Sequence, residues 1–405
     1  MKNNKKLGFE SKIIILDRAI GNIIELFLNT FLAAYFYKIT QDNMIYISIY
    51  YIIAWIIATI SALLLGDYIK RKNKLKLYKI GTFIKALYVL LIIILQEKIL
   101  DYVWLIAMVY GISVSATGFP FNMIESEIVD SKERTKYTGY KTAVGEITIV
   151  IVPIFLGAYI TYKSYKAAAI LVFIFSIIKF INLYFLKNVN TIKDKLNLKG
   201  CLKAIKENKK YPIKELYLIE FLKGITVYGV LSIVISLLII YEEKTDLNLG
   251  IWSSFFSLCL IITMIIFAKK YNKQKSNKIL TICGLAIGIS FIILLFSINK
   301  TTIILYNLVY YIFIKILLSI TEIRLFDYSN KSPFEKEFNT EYFIFREFFL
   351  NLGRVVGYII LLIIGFSHNL EYLKILFLCT TISLIAIIKI SKNIGLKERQ
   401  DETEV

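Results

Sequence analysis

Runs of about 20 apolar residues, separated by short polar turns, recur along the whole of this 405-residue chain. Each is long enough to cross a hydrocarbon core of about 30 Å as an α-helix. The runs are continuous rather than alternating, which argues against a β-barrel, whose strands are short and switch faces at every residue. The pattern predicts an all-α integral membrane protein with twelve transmembrane helices. They fall at about 16–37, 43–66, 76–96, 101–124, 139–161, 166–187, 217–241, 247–268, 278–298, 302–323, 342–366 and 371–391.

The stretch Thr117–Thr161 shows the plan in miniature. An apolar run ends in Gly118, Pro120, Glu125, Glu127 and Asp130. A basic turn follows with Lys132, Arg134, Lys136 and Lys141, and a second apolar run then carries Glu146 inside it. Lysine and arginine mark every second connection in this way. The N-terminal arm, the turns near residues 70–76, 132–136, 269–275 and 331–336, the long segment 188–216 and the tail are rich in them; the alternate turns hold one or two each. Basic loops stay on the cytoplasmic side, so both termini are expected there.

Segment 188–216 divides the chain into an N-terminal half, 1–187, and a C-terminal half, 217–405, the latter ending in a short cytoplasmic tail. Its sequence KDKLNLKGCLKAIKENKK suits short amphipathic helices on the membrane face as well as it suits a solvated linker. The halves echo one another. Asp17 and Arg18 precede Gly21 in the first span, as Glu220 and Lys223 precede Gly224 in the seventh; Lys141 and Glu146 open the fifth span much as Arg346 and Asn351 open the eleventh. A duplicated six-span unit leaves such traces.

Composition agrees. The chain is 57% hydrophobic, above the 45–50% of a typical soluble protein. A net charge of +19 would suggest nucleic acid in a soluble protein. Here the basic residues lie between spans, where they orient the chain and meet anionic lipid, and no nucleic-acid partner is expected. Cys201, Cys259, Cys283 and Cys379 are scattered, with neither zinc nor disulfide spacing. No metal or cofactor is expected. No cleavable signal peptide is read at the N-terminus, where MKNNKK is polar and no small-residue cleavage site follows the first apolar run.

In architecture the whole chain resembles the major facilitator superfamily, whose plan is twelve spans, a long central cytoplasmic loop and both ends inside. The second loop, LLLGDYIKRKNK, is similar to the family signature there: Asp67 fits its aspartate, and Arg71 and Lys72 its final basic pair. Leu63 and Lys70 replace its two glycines, and Tyr68 its first basic residue. Gly118, Pro120, Arg134, Gly139, Gly145, Pro153 and Gly157 fall where the family usually has such residues. Many drug–proton antiporters of the family carry an arginine in the fourth span; YVWLIAMVYGISVSATG has none, and the fifth-span antiporter pattern is partial.

Ionisable residues inside spans are expensive and are site candidates by default. Glu25, Glu146, Lys315 and Arg354 lie deepest. The resemblance implies that their spans border a central cavity, where the two acids could couple protons or pair with Lys315 or Arg354, and the two bases could hold an anionic substrate group. A second set lies nearer the inner surface: Asp17, Arg18, Asp67, Arg71, Glu125, Arg134, Glu220, Lys223, Glu322, Arg324, Arg346 and Glu347. In the resembled fold such clusters close the inner gate; salt bridges between span ends or snorkelling side chains are the plainer reading. Lys85 and Lys179 fall in spans that are peripheral in that fold and are read as snorkelling or bracing a neighbour. Tyr46, Tyr50 and Tyr51, or Tyr310, Tyr311 and Phe313, suit either packing or an aromatic pocket. His368, the sole histidine, falls in an outer loop, away from any proton path.

The leading expectation is a secondary active transporter working by alternating access between halves, as a monomer in the plasma membrane. It would export a small amphipathic compound, with proton coupling. Nutrient uptake by symport and flipping of a lipid or lipid-linked precursor are the alternatives. An enzyme is disfavoured, since no convergent catalytic set is found in the short outer loops. No Walker signature is present for ATP-driven transport.

Overall fold

The computed structural model describes residues 7–41, 43–71, 73–129, 134–186, 195–207, 211–296, 298–329, 337–367 and 369–403. Every regular element among them is helical. Twelve helices are long and apolar enough to span a membrane: Phe9–Ile39, Ile45–Lys70, Lys74–Leu100, Val103–Glu125, Lys136–Tyr162, Tyr165–Phe185, Ile213–Glu243, Asp246–Phe267, Ser276–Phe296, Lys300–Leu325, Asn339–Gly365 and Leu373–Leu396. They are numbered spans 1 to 12. The apolar runs locate every span but start several of them late. Span 1 begins at Phe9 rather than near residue 16, and so includes Glu10 and Lys12. A helix continues through the headgroup layer, where charged side chains cost little, so helical geometry outlasts the apolar pattern.

The chain forms two compact units. The first comprises Met1–Asp42, Ile49–Lys195 and Glu243–Phe255; the second comprises Asn43–Ser48, Leu196–Glu242 and Phe256–Val405. Within the first, Ile13, Ile14, Leu75, Tyr78, Phe121, Ile124 and Leu183 form an apolar core joining spans 1, 3, 4 and 6. Large side chains such as Leu64, Ile151 and Ile363 stay exposed. In water this would favour association; in a bilayer the acyl chains solvate them.

Two spans depart from regular α-helix. Span 1 widens to a π-helical turn at Phe27–Phe31. Span 7 breaks: one helix ends at Ile225 and the next begins at Val230, with Thr226 at φ −103°, ψ −97° between them. Gln96, near the end of span 3, and Gln41 and Lys244, in the short turns after spans 1 and 7, are the only non-glycine residues of positive φ among those described. Gln41 and Lys244 follow spans 1 and 7, which the repeat pairs. In the central segment, Leu198–Glu207 forms an amphipathic helix with Cys201 and Ile205 buried and Leu202, Lys203 and Lys206 exposed. Asn197 caps it, accepting from Gly200 N at 2.8 Å, and Asn197 N donates to Glu341 of span 11 at 2.8 Å.

Spans 7 and 11 pack backbone to backbone at a glycine seam. A methyl group on Gly353 would overlap the Phe221 carbonyl and stand 3.0 Å from Gly224 Cα; one on Gly224 would overlap the Leu350 carbonyl. Small residues allow this approach, and van der Waals contact of the two backbones replaces side-chain packing. Gly353→Ala should therefore destabilise the protein by about 1–3 kcal/mol, the cost of overpacking a tight site, read as a lowered unfolding midpoint in detergent. Gly288→Ala is the control: nothing lies within 4 Å of its added methyl group, and its midpoint should not fall.

Candidate functional site

The first unit holds two charge clusters stacked along span 1. In the lower one, Asp17 and Lys179 are both buried. Lys179 Nζ lies 2.7 Å from Asp17 Oδ2, 2.9 Å from the Asp17 carbonyl and 2.9 Å from the Tyr78 hydroxyl, which itself donates to Asp17 Oδ2 at 2.6 Å. Lys179 reaches across because Gly21 has no side chain: a methyl group there would stand 3.1 Å from Nζ. Lys179 thus does brace a neighbour, and it is the buried partner of Asp17. Arg18 is exposed and rests over the Phe121 ring.

Two turns further along, Glu25 directly precedes the π-helical turn. Its carboxylate pairs with Lys85 of span 3 through Oε1 and accepts from Asn29 Nδ2 at 3.3 Å through Oε2. Asn29 Oδ1 accepts from the Tyr110 hydroxyl at 3.2 Å. Tyr110 lies tilted against Tyr88 and Tyr50, whose hydroxyls are 2.5 Å apart. Trp55 lies edge-on to Tyr110, and Tyr35 stacks on Tyr165 with centroids 4.0 Å apart. The Lys85 side chain is 9% exposed and that of Glu25 38%, so the base is sealed in while the acid stays open. Lys85, set aside in the sequence as peripheral, supplies the partner that Lys315 or Arg354 was expected to provide. Tyr50 and Tyr51 are buried in this aromatic group, and Tyr46 is exposed. Also within this unit, Lys38 at the C-terminal end of span 1 pairs with Asp246 at the start of span 8, 2.6 Å apart.

In the second unit, buried Glu220 is held by Lys223 of its own helix at 2.6 Å and by Arg346 of span 11 at 3.2 Å; Arg346 also contacts Glu347 at 2.9 Å. Glu322 accepts from the Tyr228 hydroxyl at 2.7 Å. Arg354, a candidate to hold a substrate group or neutralise an acid, also serves the broken helix. Its Nε donates to the Tyr228 carbonyl at 2.7 Å, satisfying an acceptor freed by the break, and Nη1 donates to Asn351 Oδ1 at 2.7 Å. Arg324, expected in a gating cluster, is a clamp between spans: it donates to the Ser391 carbonyl, to Ser391 Oγ at 2.5 Å and to Ser276 Oγ at 3.2 Å. Tyr310 and Tyr311 are in edge contact, and Tyr311 stacks on Phe256.

The other candidates are dispersed. Glu125 pairs with Lys141 where spans 4 and 5 meet. Glu146 and Lys315 are half-buried and make no ion pair among the described residues. Asp67 is half-buried. The side chains of Arg71 and Arg134, and the whole of His368, lie outside the described residues. Lys85 and Lys179 carried a legible signal, a charge deep in an apolar run; Asn29, Tyr78 and Tyr110 carried none until the spans were packed.

Twelve spans, matched charges within them and broken or widened helices at mid-depth define a membrane transport protein, and comparison with known proteins agrees. The family model described as Major Facilitator Superfamily matches residues 124–358. This chain belongs to that superfamily. A curated relative, "Uncharacterized protein YqgE" of Bacillus subtilis (strain 168), is 22% identical over 340 residues, covering 83% of this chain and 78% of its own. Among solved structures, a mutant of the nucleoside transporter NupG superposes with TM-score 0.71 at 13% identity, covering 95% of this chain and 99% of that one. A bacterial homologue of the iron transporter ferroportin, in its inward-facing state, gives TM-score 0.64 at 15% identity, covering 95% and 97%. The fold is that of the superfamily's transporters, and the chain is a transporter rather than an enzyme.

The Asp17–Lys179 pair yields a stability prediction. Asp17→Asn leaves Lys179 charged and uncompensated, and removing one partner of a buried pair costs about 3–5 kcal/mol. The double variant Asp17→Asn with Lys179→Met should recover most of that loss in thermal unfolding. A double variant no more stable than the single one would show that the two charges act independently.

Proposed function

We propose that this chain exports a small amphipathic compound across the plasma membrane by alternating access, coupled to protons at Glu25. The halves 1–187 and 217–405 move about linker 188–216, with both termini in the cytoplasm. The lysine- and arginine-rich loops support that orientation.

One observation carries the reading: a part-open carboxylate deep in span 1, paired to a sealed lysine and bordered by Asn29, Tyr110 and a cluster of aromatic rings. Such a carboxylate has three competing partners: Lys85, a proton, or a cationic group on the substrate. While Lys85 is paired, its burial costs little. When a proton takes Glu25, Lys85 is left charged in a dry site, which favours whichever state lets water reach it. When a cationic amphipath takes Glu25, its cation replaces the Lys85 ammonium at the open carboxylate. Proton and substrate thus exclude one another at a single oxygen pair, which is the requirement for exchange. The ferroportin homologue is named for iron. Among the described residues here, no three His, Cys, Asp or Glu side chains come together, and a single open carboxylate suits an organic cation better. The inner-end pairs Glu125–Lys141 and Glu220–Arg346–Glu347, with Glu322, Asp67, Arg71 and Arg134, supply the contacts that make and break with the gate.

The test is proton movement in proteoliposomes with a pH-sensitive dye inside and a panel of amphipathic drugs, sugars and amino acids outside. The expected result is a pH change dependent on an amphipathic compound, lost in Glu25→Gln and kept in Glu146→Gln. Loss in Glu146→Gln alone would move the coupling to span 5. Transport without a pH change would end proton coupling. Translocation of a fluorescent lipid, with no response to any soluble compound, would replace the exporter with a flippase.

A further inference from the structure

A groove of about 370 Å³ lies between the first turns of spans 1 and 5, lined by Leu7, Lys12, Ile15, Lys136, Tyr140 and Val144. Its chemistry is graded. Lys136, Tyr140 and Val144 are spaced at i, i+4 and i+8 and share one face of span 5. At 1.5 Å per residue they run about 12 Å along the helix axis. Lys136 lies in the first helical turn, Tyr140 in the next and Val144 deeper. Span 1 repeats the order, with Lys12 in its first turn and Ile15 one turn further in. Two ammonium groups and Leu7 therefore stand at the mouth, a phenol stands between, and Ile15 and Val144 form the floor. Lys12 and Tyr140 are exposed.

We propose that this groove is a binding site for an anionic phospholipid of the leaflet on the basic-loop side. The two lysines would hold the phosphate, Tyr140 would sit at glycerol depth, and the first part of an acyl chain would lie along Ile15 and Val144. Lys12 and Lys136 would meet a phosphodiester at a mouth with no acidic residue among its described lining. The polarity gradient follows that of a lipid at the interface, where basic residues attract anionic headgroups and aromatic residues take the boundary. A soluble phosphate ester would match the mouth and leave the apolar floor uncovered. The site is independent of the transport reading, since neither span 3 nor Glu25 takes part.

The test uses the full chain, purified in detergent and stripped of lipid. Phosphatidylglycerol and phosphatidylcholine of identical acyl chains are titrated in, and bound lipid is counted by native mass spectrometry. Wild type should take up one phosphatidylglycerol in preference to phosphatidylcholine. Lys12→Gln with Lys136→Gln should lose that preference while keeping the wild-type unfolding midpoint. A control pair on the exposed face of the linker helix, Lys199→Gln with Lys203→Gln, should keep it. Equal loss in the control pair would mean diffuse attraction to a basic face and would overturn the site. So would a preference that survives the groove substitutions. Displacement of the lipid by equimolar glycerol 3-phosphate would overturn the lipid in favour of a soluble ester. If the double variant is misfolded, Val144→Asp tests the floor alone and should lower the occupancy of both lipids.

Discussion

A charge within the hydrocarbon layer has no water to turn to, so it must be met by an opposite charge or a backbone carbonyl from the same bundle. That constraint shapes both units. Asp17 is met by Lys179 and Tyr78 from spans 6 and 3. Glu25 is met by Lys85. Glu220 is met by Lys223 and Arg346. Where no carboxylate is at hand, backbone serves: Arg324 takes the Ser391 carbonyl and Arg354 the Tyr228 carbonyl. Each match ties a helix to another that is distant in sequence. The charges that most strain a membrane protein thus also fix which spans are neighbours.

The repeat is visible in the acids and lost in their partners. Asp17 and Gly21 have the same spacing as Glu220 and Gly224, and continuing that register sets Glu25 on Tyr228. The three pairs have diverged to different degrees. Both acids are buried, but the first draws its cation from another span and the second partly from its own helix. At the third pair the interruption itself differs. Span 1 widens just after Glu25 and keeps its helical course; span 7 breaks around Tyr228 and needs Arg354 to take up the released carbonyl. One half therefore offers a carboxylate at mid-depth, and the other spends an arginine on holding its backbone together.

The twelve spans were legible because their signal is one-dimensional: an apolar run of sufficient length needs no knowledge of neighbours. The amphipathic helix at Leu198–Glu207 was legible for a related reason, a periodic face in an otherwise polar segment. The deep charges also stood out. Their pairing did not, because a salt bridge between spans depends on helix rotation and neighbour order. The family plan assigns Lys85 and Lys179 to peripheral spans, yet a lysine side chain is long enough to reach inward from such a place. The break in span 7 left little trace. The segment ITVYGV contains no proline, and its glycine is one of several along the chain. The π-helical turn at FLNTF left none, since a run of apolar residues looks alike whether its turns are regular or wide.

The pairing of Glu25 with Lys85 also bears on how the protein feels the membrane potential. Moving one elementary charge through 100 mV takes about 2.3 kcal/mol of electrical work. Two opposite charges that travel together take none, so the Glu25–Lys85 and Asp17–Lys179 pairs are silent to the field for as long as each stays together. Lys315 of span 10, with no ion-pair partner among the described residues, has no such shelter. Glu146 of span 5, likewise with no ion-pair partner among the described residues, leaves the first unit an embedded negative charge, so the field pulls on the two units in opposite directions.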